Sequence, residues 1–470
     1  MGRERGLRAC AAAALLAGTC CAAAQGAPDS DGQSTKNPHP GGLWECGVLA
    51  GDWGGERDEW EKNLGLKLGA SYLGEALGNA TGGERRGVVY EDQLELSLTL
   101  DLEKVMGWGD ATFHVDAYQI HGRGLSANKL GNNLLTASGI EADRSTRLFN
   151  LWLEQQLWGG AVAVRIGQFS ADDEFIVSDY ASIFINASFG WPAVTAIDLP
   201  SGGPAFPLST PGIRIKVQPP GPISVTAAVF NGDPAGLGRG DPQSRDSSGT
   251  AFRFNDNVFA IAEAAYTIKA EKGMPGLPST YKIGGWYHSG RFDDQRFDSA
   301  GLSLASPASS GIPVQHRGNY GIYAIADQML WPTSEDKEQG LGMFLRLSGS
   351  PSDRNEVDLY ADGGLDYKGP LPGRKDDVLG LGIAYARVSD AARGLDRDSN
   401  IFNGTSHPVR DYEMALEVTY SAEVTPWWMV QPDLQFIFHP DGHLADPTDP
   451  TGRRAVRDAL VIGLRSKIAF

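Results

Sequence analysis

Ala459-Leu460-Val461-Ile462-Gly463-Leu464-Arg465-Ser466-Lys467-Ile468-Ala469-Phe470 ends the sequence on an alternating strand. Successive strand side chains point to opposite faces. Leu460, Ile462, Leu464, Ile468 and Phe470 therefore share one face, and Arg465 and Lys467 fall on the other. A soluble sheet can carry such a segment anywhere. An apolar face backed by cations at the very end suits a membrane barrel whose last strand closes the wall.

The beginning agrees with that reading. Arg3, Arg5 and Arg8 precede an Ala/Leu-rich stretch from Ala9 to Ala17, and Ala22-Ala23-Ala24 offers a cleavage site before Gln25. This is the pattern of a secretory signal, too short to span a bilayer as a retained helix. Thr19, where a lipid-attachment motif wants Gly or Ala, argues against lipidation at Cys20 or Cys21. Three of the four cysteines leave with residues 1–24, so the mature chain keeps Cys46 and can form no intrachain disulfide. A terminal Phe after an alternating strand also resembles the signal read by the machinery that assembles outer-membrane barrels, which makes that machinery an expected partner through Phe470.

Composition excludes two broad classes. The formal net charge is −17 and becomes more negative once residues 1–24, with three Arg and one Glu, are set aside. Such acidity argues against nucleic acid as a partner. No mature segment reaches the roughly 18 consecutive apolar residues of a membrane helix. With abundant Gly and scattered aromatics, the chain reads as many strands and turns.

Period-two alternation recurs sixteen times, near 64–78, 88–104, 110–121, 145–157, 162–170, 211–218, 223–231, 256–269, 280–289, 319–330, 341–349, 356–367, 378–389, 412–423, 429–439 and 459–470. The second is the cleanest: Leu94, Leu96, Leu98, Leu100 and Leu102 face one way, and Gln93, Glu95, Ser97, Thr99, Asp101 and Glu103 the other. Short turns (Gly107-Trp108-Gly109, Trp158-Gly159-Gly160, Pro219-Pro220-Gly221-Pro222) alternate with long connections at 122–144, 171–210, 232–255, 290–318, 390–411 and 440–458. Short turns on one rim and long loops on the other characterise outer-membrane barrels. Spanning β-structure has to close, because hydrocarbon cannot satisfy a free strand edge. The expected fold is all-β, a transmembrane antiparallel β-barrel of about 16 strands over residues 64–470, preceded by a signal peptide (1–24) and a periplasmic segment (25–63). Sixteen strands enclose an aqueous channel, and the inward positions are indeed polar. His114 and Asp116, Trp152 and Glu154, Arg165, Arg214 and Lys216, Lys282, Arg346 and Asp358 all project inward by parity.

The connection 171–210 is rich in apolar and aromatic residues, which would be unstable in open solvent. Folding it into the barrel covers them and narrows the pore. Here the residues reach a family. Gly51-Asp52-Trp53-Gly54-Gly55-Glu56-Arg57, Leu148-Phe149-Asn150-Leu151-Trp152-Leu153-Glu154-Gln155, Gly167-Gln168-Phe169 with Asp173-Glu174-Phe175, Phe184-Ile185-Asn186 through Gly190-Trp191-Pro192, Thr210-Pro211-Gly212-Ile213-Arg214 and Phe230-Asn231-Gly232-Asp233-Pro234 together resemble the OprB-type carbohydrate-selective porins. The resemblance implies an outer-membrane, monomeric-type channel with inward-folded loops that passes glucose and related sugars into the periplasm. Whether barrels stand as a monomer or homotrimer is left open, and the surrounding lipids and lipopolysaccharide are further partners.

A sugar offers hydroxyls on its rim and C–H groups on its faces, so aromatic faces and charged hydrogen-bonding groups are the expected lining. The resemblance points to Trp191, through Gly190-Trp191-Pro192, as a stacking platform. Anchoring the loop to the wall is its equal alternative. Arg123, Arg147, Arg165 and Arg214 are expected as the cationic side, by inward parity or closeness to the loops, and Asp116 and Glu174 as hydroxyl acceptors. Arg147 falls on the outward parity counted from Leu151, which makes it a rim residue unless the strand begins after it. Trp108, Trp158, Trp427 and Trp428 cluster at short turns and read as an interfacial girdle. His114 and His121 are isolated, the other histidines offer no evident ligand spacing, and no metal or cofactor is expected. The acidic tracts Asp396-Arg397-Asp398 and Asp446 to Asp449 read as solvated loops or as surface sites for Ca²⁺ or bridged lipopolysaccharide.

Two rivals remain. The inward arginines would also suit organic acids or other small anions. A barrel enzyme is the remoter rival, with no Gly-x-Ser-x-Gly elbow, paired His-Glu metal motif or phosphate loop in the sequence.

Overall fold

The alternation is realised strand for strand. A computed structural model describes residues 47–132, 134–270, 276–335 and 337–470. The proposed export signal and Cys46 lie outside these residues. The strands are β1 (Leu66–Thr81), β2 (Gly87–Asp101), β3 (Ala111–Gly122), β4 (Ser145–Leu157), β5 (Val162–Phe169), β6 (Thr210–Val217), β7 (Ile223–Asn231) and β8 (Val258–Ile268), then β9 (Ser279–Asp298), β10 (Pro313–Pro332), β11 (Gly340–Gly349), β12 (Val357–Lys368), β13 (Val378–Val388), β14 (Tyr412–Thr425), β15 (Trp428–Phe438) and β16 (Ala459–Ala469). Each pairs with its chain neighbours, and β1 pairs antiparallel with β16, so the sheet closes into a barrel. The seam runs from Ser71↔Ala469 to Thr81↔Leu460, and on its inner face Arg465 meets the fully buried Glu75 at 2.6 Å. No helix among the described residues is long and apolar enough to cross a membrane.

The outer face is what hydrocarbon selects. Ile213 and Ile215 of β6, Ile283 of β9, Ile322 of β10, Leu379, Leu381 and Ile383 of β13, and Ile462 and Leu464 of β16 are all exposed. Among their inward neighbours are Arg214, Lys282, Gly380, Gly382 and Gly463.

Two departures from the alternation have physical causes. β9 and β10 run on well past the expected 280–289 and 319–330, as a hairpin whose connection is only 299–312. A spanning strand needs only about 9–11 residues, so the excess stands beyond the rim. There the strands have left the hydrocarbon, and no apolar period marks them. Backbone pairing continues (Arg317↔Arg291, Gln315↔Asp293), with His316 Nε2 at 2.8 Å from Asp294. In the connection 389–411 a helix forms over Asp390–Asn403, capped by the Ser389 hydroxyl and ended by Gly404. Asp398 of this helix binds Arg296 of the hairpin through two bonds of 2.8 and 3.0 Å, and Asp396 binds Arg410. Asp446 binds Arg454, and Asp449 accepts backbone N–H groups of Thr451, Arg453 and Arg454. Both acidic tracts thus hold loops together.

Before β1, residues 56–64 are helical in two short pieces ended by Gly65. The N–H of Leu49 donates to the Ala469 carbonyl, tying this segment to the short-turn rim.

The connection between β5 and β6 (170–209) folds inward and crosses the lumen. Its backbone would lose its hydrogen bonds to water there, so the wall must replace them. Glu417 of β14 accepts the N–H groups of Ile185 (2.6 Å) and Asn186 (3.0 Å). Asp327 of β10 takes the Ser178 hydroxyl (2.5 Å) and the Asp179 N–H (2.9 Å), and Glu263 of β8 takes the Ile176 N–H (3.1 Å). Arg346 of β11, 2 % exposed, donates to the carbonyls of Ile176 (2.9 Å), Ser188 (3.0 Å) and Gly190 (2.9 Å) while Asp362 of β12 neutralises it. Tyr360 adds a bond to the Ser188 carbonyl at 2.7 Å. Ile176, a β-branched residue at φ 62°, sits between two of these anchors. Phe184 and Phe189 stack at 4.4 Å against β13, where a Cβ on Gly382 would lie 2.8 Å from both rings.

Removing one partner of a buried ion pair costs about 3–5 kcal/mol. Arg346→Ala is expected to free the loop while the barrel stays closed. Single-channel conductance should rise several-fold and residues 170–209 should become cleavable by protease. Unchanged conductance would show that the loop is held without this guanidinium.

Candidate functional site: the constriction

Beside the inward loop the wall carries an interleaved charge quartet. The register pairs Glu154 of β4 with Arg165 of β5, and Arg165 with Arg214 of β6, putting two cations side by side on the inner face. Alone they would repel. Glu174, brought down by the loop, completes the neutralisation. Arg165 reaches Glu154 at 2.9 Å and Glu174 at 2.7 Å, and Arg214 reaches the same two at 2.8 and 2.7 Å. The side chains of Arg165, Glu154 and Glu174 remain 17, 16 and 13 % exposed, so they border the lumen, whereas that of Arg214 is 4 % exposed behind them. The Nε and Nη1 atoms of Arg214 have no protein partner.

An aromatic row continues the quartet along the wall. Trp152 of β4 lies 3.9 Å from the Arg165 guanidinium, a cation–π contact, and stacks on His114 of β3 at 4.9 Å. His114 is fixed in turn by Thr99 (2.8 Å) and Asp116 (3.1 Å). The row therefore sets aromatic rings beside guanidinium N–H groups and carboxylate oxygens, with both imidazole nitrogens already engaged.

The expected site residues divide into three groups. Arg165, Arg214 and Glu174 come together. Asp116, 4 % exposed, is committed to the Asn150 N–H (2.9 Å) and side-chain amide (2.8 Å) as well as to His114, so its oxygens are already engaged. The reason is a β-bulge: Val115 faces Leu151 and Ala117 faces Leu148, so Phe149 and Asn150 together oppose Asp116. The bulge also reverses the parity of β4. Arg147 therefore points inward rather than outward to the rim. It is 1 % exposed and donates to the carbonyls of Pro207 (2.6 Å) and Gln243 (3.2 Å), bracing one loop against the next. Arg123 is exposed at the long-loop mouth, where with Asn128, Glu141, Arg144, Asp241 and Gln243 it borders a cavity of about 640 Å³.

Trp191 is 9 % exposed and donates its indole N–H to the Gly202 carbonyl at 3.0 Å. It packs with Phe175, Leu199 and Ala205 inside the loop. Parity had placed Trp152 and Glu154 inward, but nothing in the sequence singled them out from the other inward residues. The role of Arg346 required the loop to be in place.

Three comparisons bear on this geometry. The family model described as "Carbohydrate-selective porin, OprB family" matches residues 85–470. Porin B of Pseudomonas aeruginosa is 29 % identical over 453 residues, covering 92 % of each chain. The high-pH structure of Pseudomonas putida OprB superposes with a TM-score of 0.77 at 27 % identity, over 91 % of this chain and 99 % of that one. Its low-pH structure gives a TM-score of 0.55 at 21 % identity over the same shares, a likeness of fold. A closed sixteen-stranded barrel and a family match over most of its length identify this chain as a member of the OprB family of carbohydrate-selective porins, channels of the outer membrane.

Proposed function

We propose that glucose-sized neutral sugars cross this porin by exchanging hydrogen bonds with the Glu154–Arg165–Glu174–Arg214 quartet, beside the His114–Trp152 row. The observation that carries the reading is the quartet's charge balance, with two guanidiniums and two carboxylates interleaved at 2.7–2.9 Å. A polyol carries donors and acceptors together and can bridge such a lattice, whereas an organic acid meets two carboxylates wherever it meets the arginines. Flux requires weak binding, which a shared, already satisfied quartet favours.

The remaining residues take supporting roles in this proposal. Trp191 anchors the loop, Arg147 braces it, Asp116 holds His114, and Arg123 meets solutes at the mouth. The quartet comes from one chain, so each barrel conducts alone whether it stands as a monomer or in a homotrimer. Residues 1–24 act as the export signal and 25–63 as a periplasmic segment, and Phe470, whose N–H donates to the Ala70 carbonyl in the seam, marks the barrel for assembly.

Hydrogen bonds to charged groups contribute about 1.5–3 kcal/mol each, or tenfold and more in an equilibrium. Glu174→Gln keeps the shape and removes one acceptor charge. In liposome swelling the variant should admit gluconate faster relative to glucose than the unaltered porin does. An unchanged ratio would remove the quartet from the permeation path.

A further inference from the structure

Beyond β15 the chain reads His439-Pro440-Asp441-Gly442-His443. Two histidines four apart would share a face of a right-handed helix, but none forms here. The chain instead turns left-handed, with φ of 51° at His439, 53° at Asp441, 71° at Gly442 and 78° at His443. Ten described non-Gly residues take positive φ, and three of them fall in these five positions, so strain is concentrated here.

Specific contacts hold the turn. The Asp441 N–H donates to Glu413 at 2.7 Å, the His439 N–H to Asp458 at 2.9 Å, and the Asp411 N–H to the Gly442 carbonyl at 2.8 Å. A Cβ on Gly442 would stand 2.7 Å from Val388, so the turn is seated tightly on the barrel rim.

The result is two imidazoles face to face at 4.2 Å beside one carboxylate. His439 Nδ1 lies 2.9 Å from Asp411 Oδ1, and His443 Nδ1 lies 3.9 Å from Asp411 Oδ2. One donor atom from each of the three residues falls within 4.8 Å of the others. Donors in a tetrahedral shell with bonds of about 2.1 Å stand about 3.4 Å apart, a spacing the two distances bracket. The side chains of His439, His443 and Asp411 are 25, 40 and 37 % exposed, and the His439 ring lies between His443 and Tyr412, whose ring centroid is 4.4 Å away, so an ion would have to turn the imidazoles out of this stack.

The surroundings favour a cation. Asp441 and Asp458 add carboxylates beside the cluster, and the neighbouring Arg410 is already engaged by Asp396 and Glu356. Two imidazole nitrogens with one carboxylate oxygen suit zinc and its first-row neighbours, whereas magnesium and calcium want oxygen throughout.

We propose that Asp411, His439 and His443 form a zinc-class divalent metal site at the long-loop rim, with a fourth position open to water. Asp411 leads into β14 and the histidines open the last long connection, so the ion fastens that connection to the wall. This site is separate from the constriction.

The test is calorimetric titration of untagged, refolded porin with zinc chloride at neutral pH, and then with magnesium chloride. A single equivalent of zinc should bind at micromolar concentration, and magnesium should not compete. His439→Gln with His443→Gln should weaken zinc by at least about tenfold, the loss that even outer-shell partners produce. Heat-modifiable gel mobility checks that the variant barrel is closed. Zinc should also protect residues 444–458 from protease in the unaltered chain alone. The proposal is overturned if the unaltered porin binds no zinc, if the double variant binds it equally well, or if magnesium displaces it.

Discussion

Arg346 joins three carbonyls of the inward loop, from Ile176, Ser188 and Gly190, to one buried carboxylate of the wall. A segment of this length inside a barrel gives up water along its whole backbone, and it stays only where each lost bond is replaced. The guanidinium presents five donors in a fixed plane, which lets one side chain serve three peptide groups at once. Asp327, Glu263 and Glu417 do the complementary work for the N–H groups. The polar lumen of a sixteen-stranded barrel is thus used partly as solvent for a loop.

That loop sets the chemistry of the channel by delivering Glu174. Without it, Arg165 and Arg214 would stand side by side with Glu154 alone between them, and the constriction would carry net positive charge. With it, the two guanidiniums and two carboxylates of the quartet balance, although the chain as a whole is strongly acidic. Sugar selectivity in this account is a property of docking, because docking converts an anion-attracting patch into a neutral lattice of donors and acceptors.

The strand count, the seam and the outward faces were legible because hydrocarbon enforces strict alternation on spanning strands. Legibility ended where that pressure ended. Beyond the rim β9 and β10 continue as paired backbone with no apolar period, so 290–298 and 313–318 read as loop. Within β4 the bulge at Phe149–Asn150 shifted the parity of Arg147, and only the partner strand reveals it. Trp191 and Asp116 carried the right chemistry, but burial and prior hydrogen bonds had already engaged them. His439 and His443 were passed over because their third neighbour, Asp411, lies at the far end of the β14–β15 hairpin in sequence and is brought beside them only by the fold.

The central claim is that the constriction recognises a neutral sugar. It is tested most directly by single-channel recording of the unaltered porin in a planar bilayer, with glucose and then succinate titrated against the ion current. The account predicts saturable interruption of the current by glucose and none by succinate at equal concentration. Block by succinate with no response to glucose would contradict it, and would make the arginines an anion site in spite of Glu154 and Glu174.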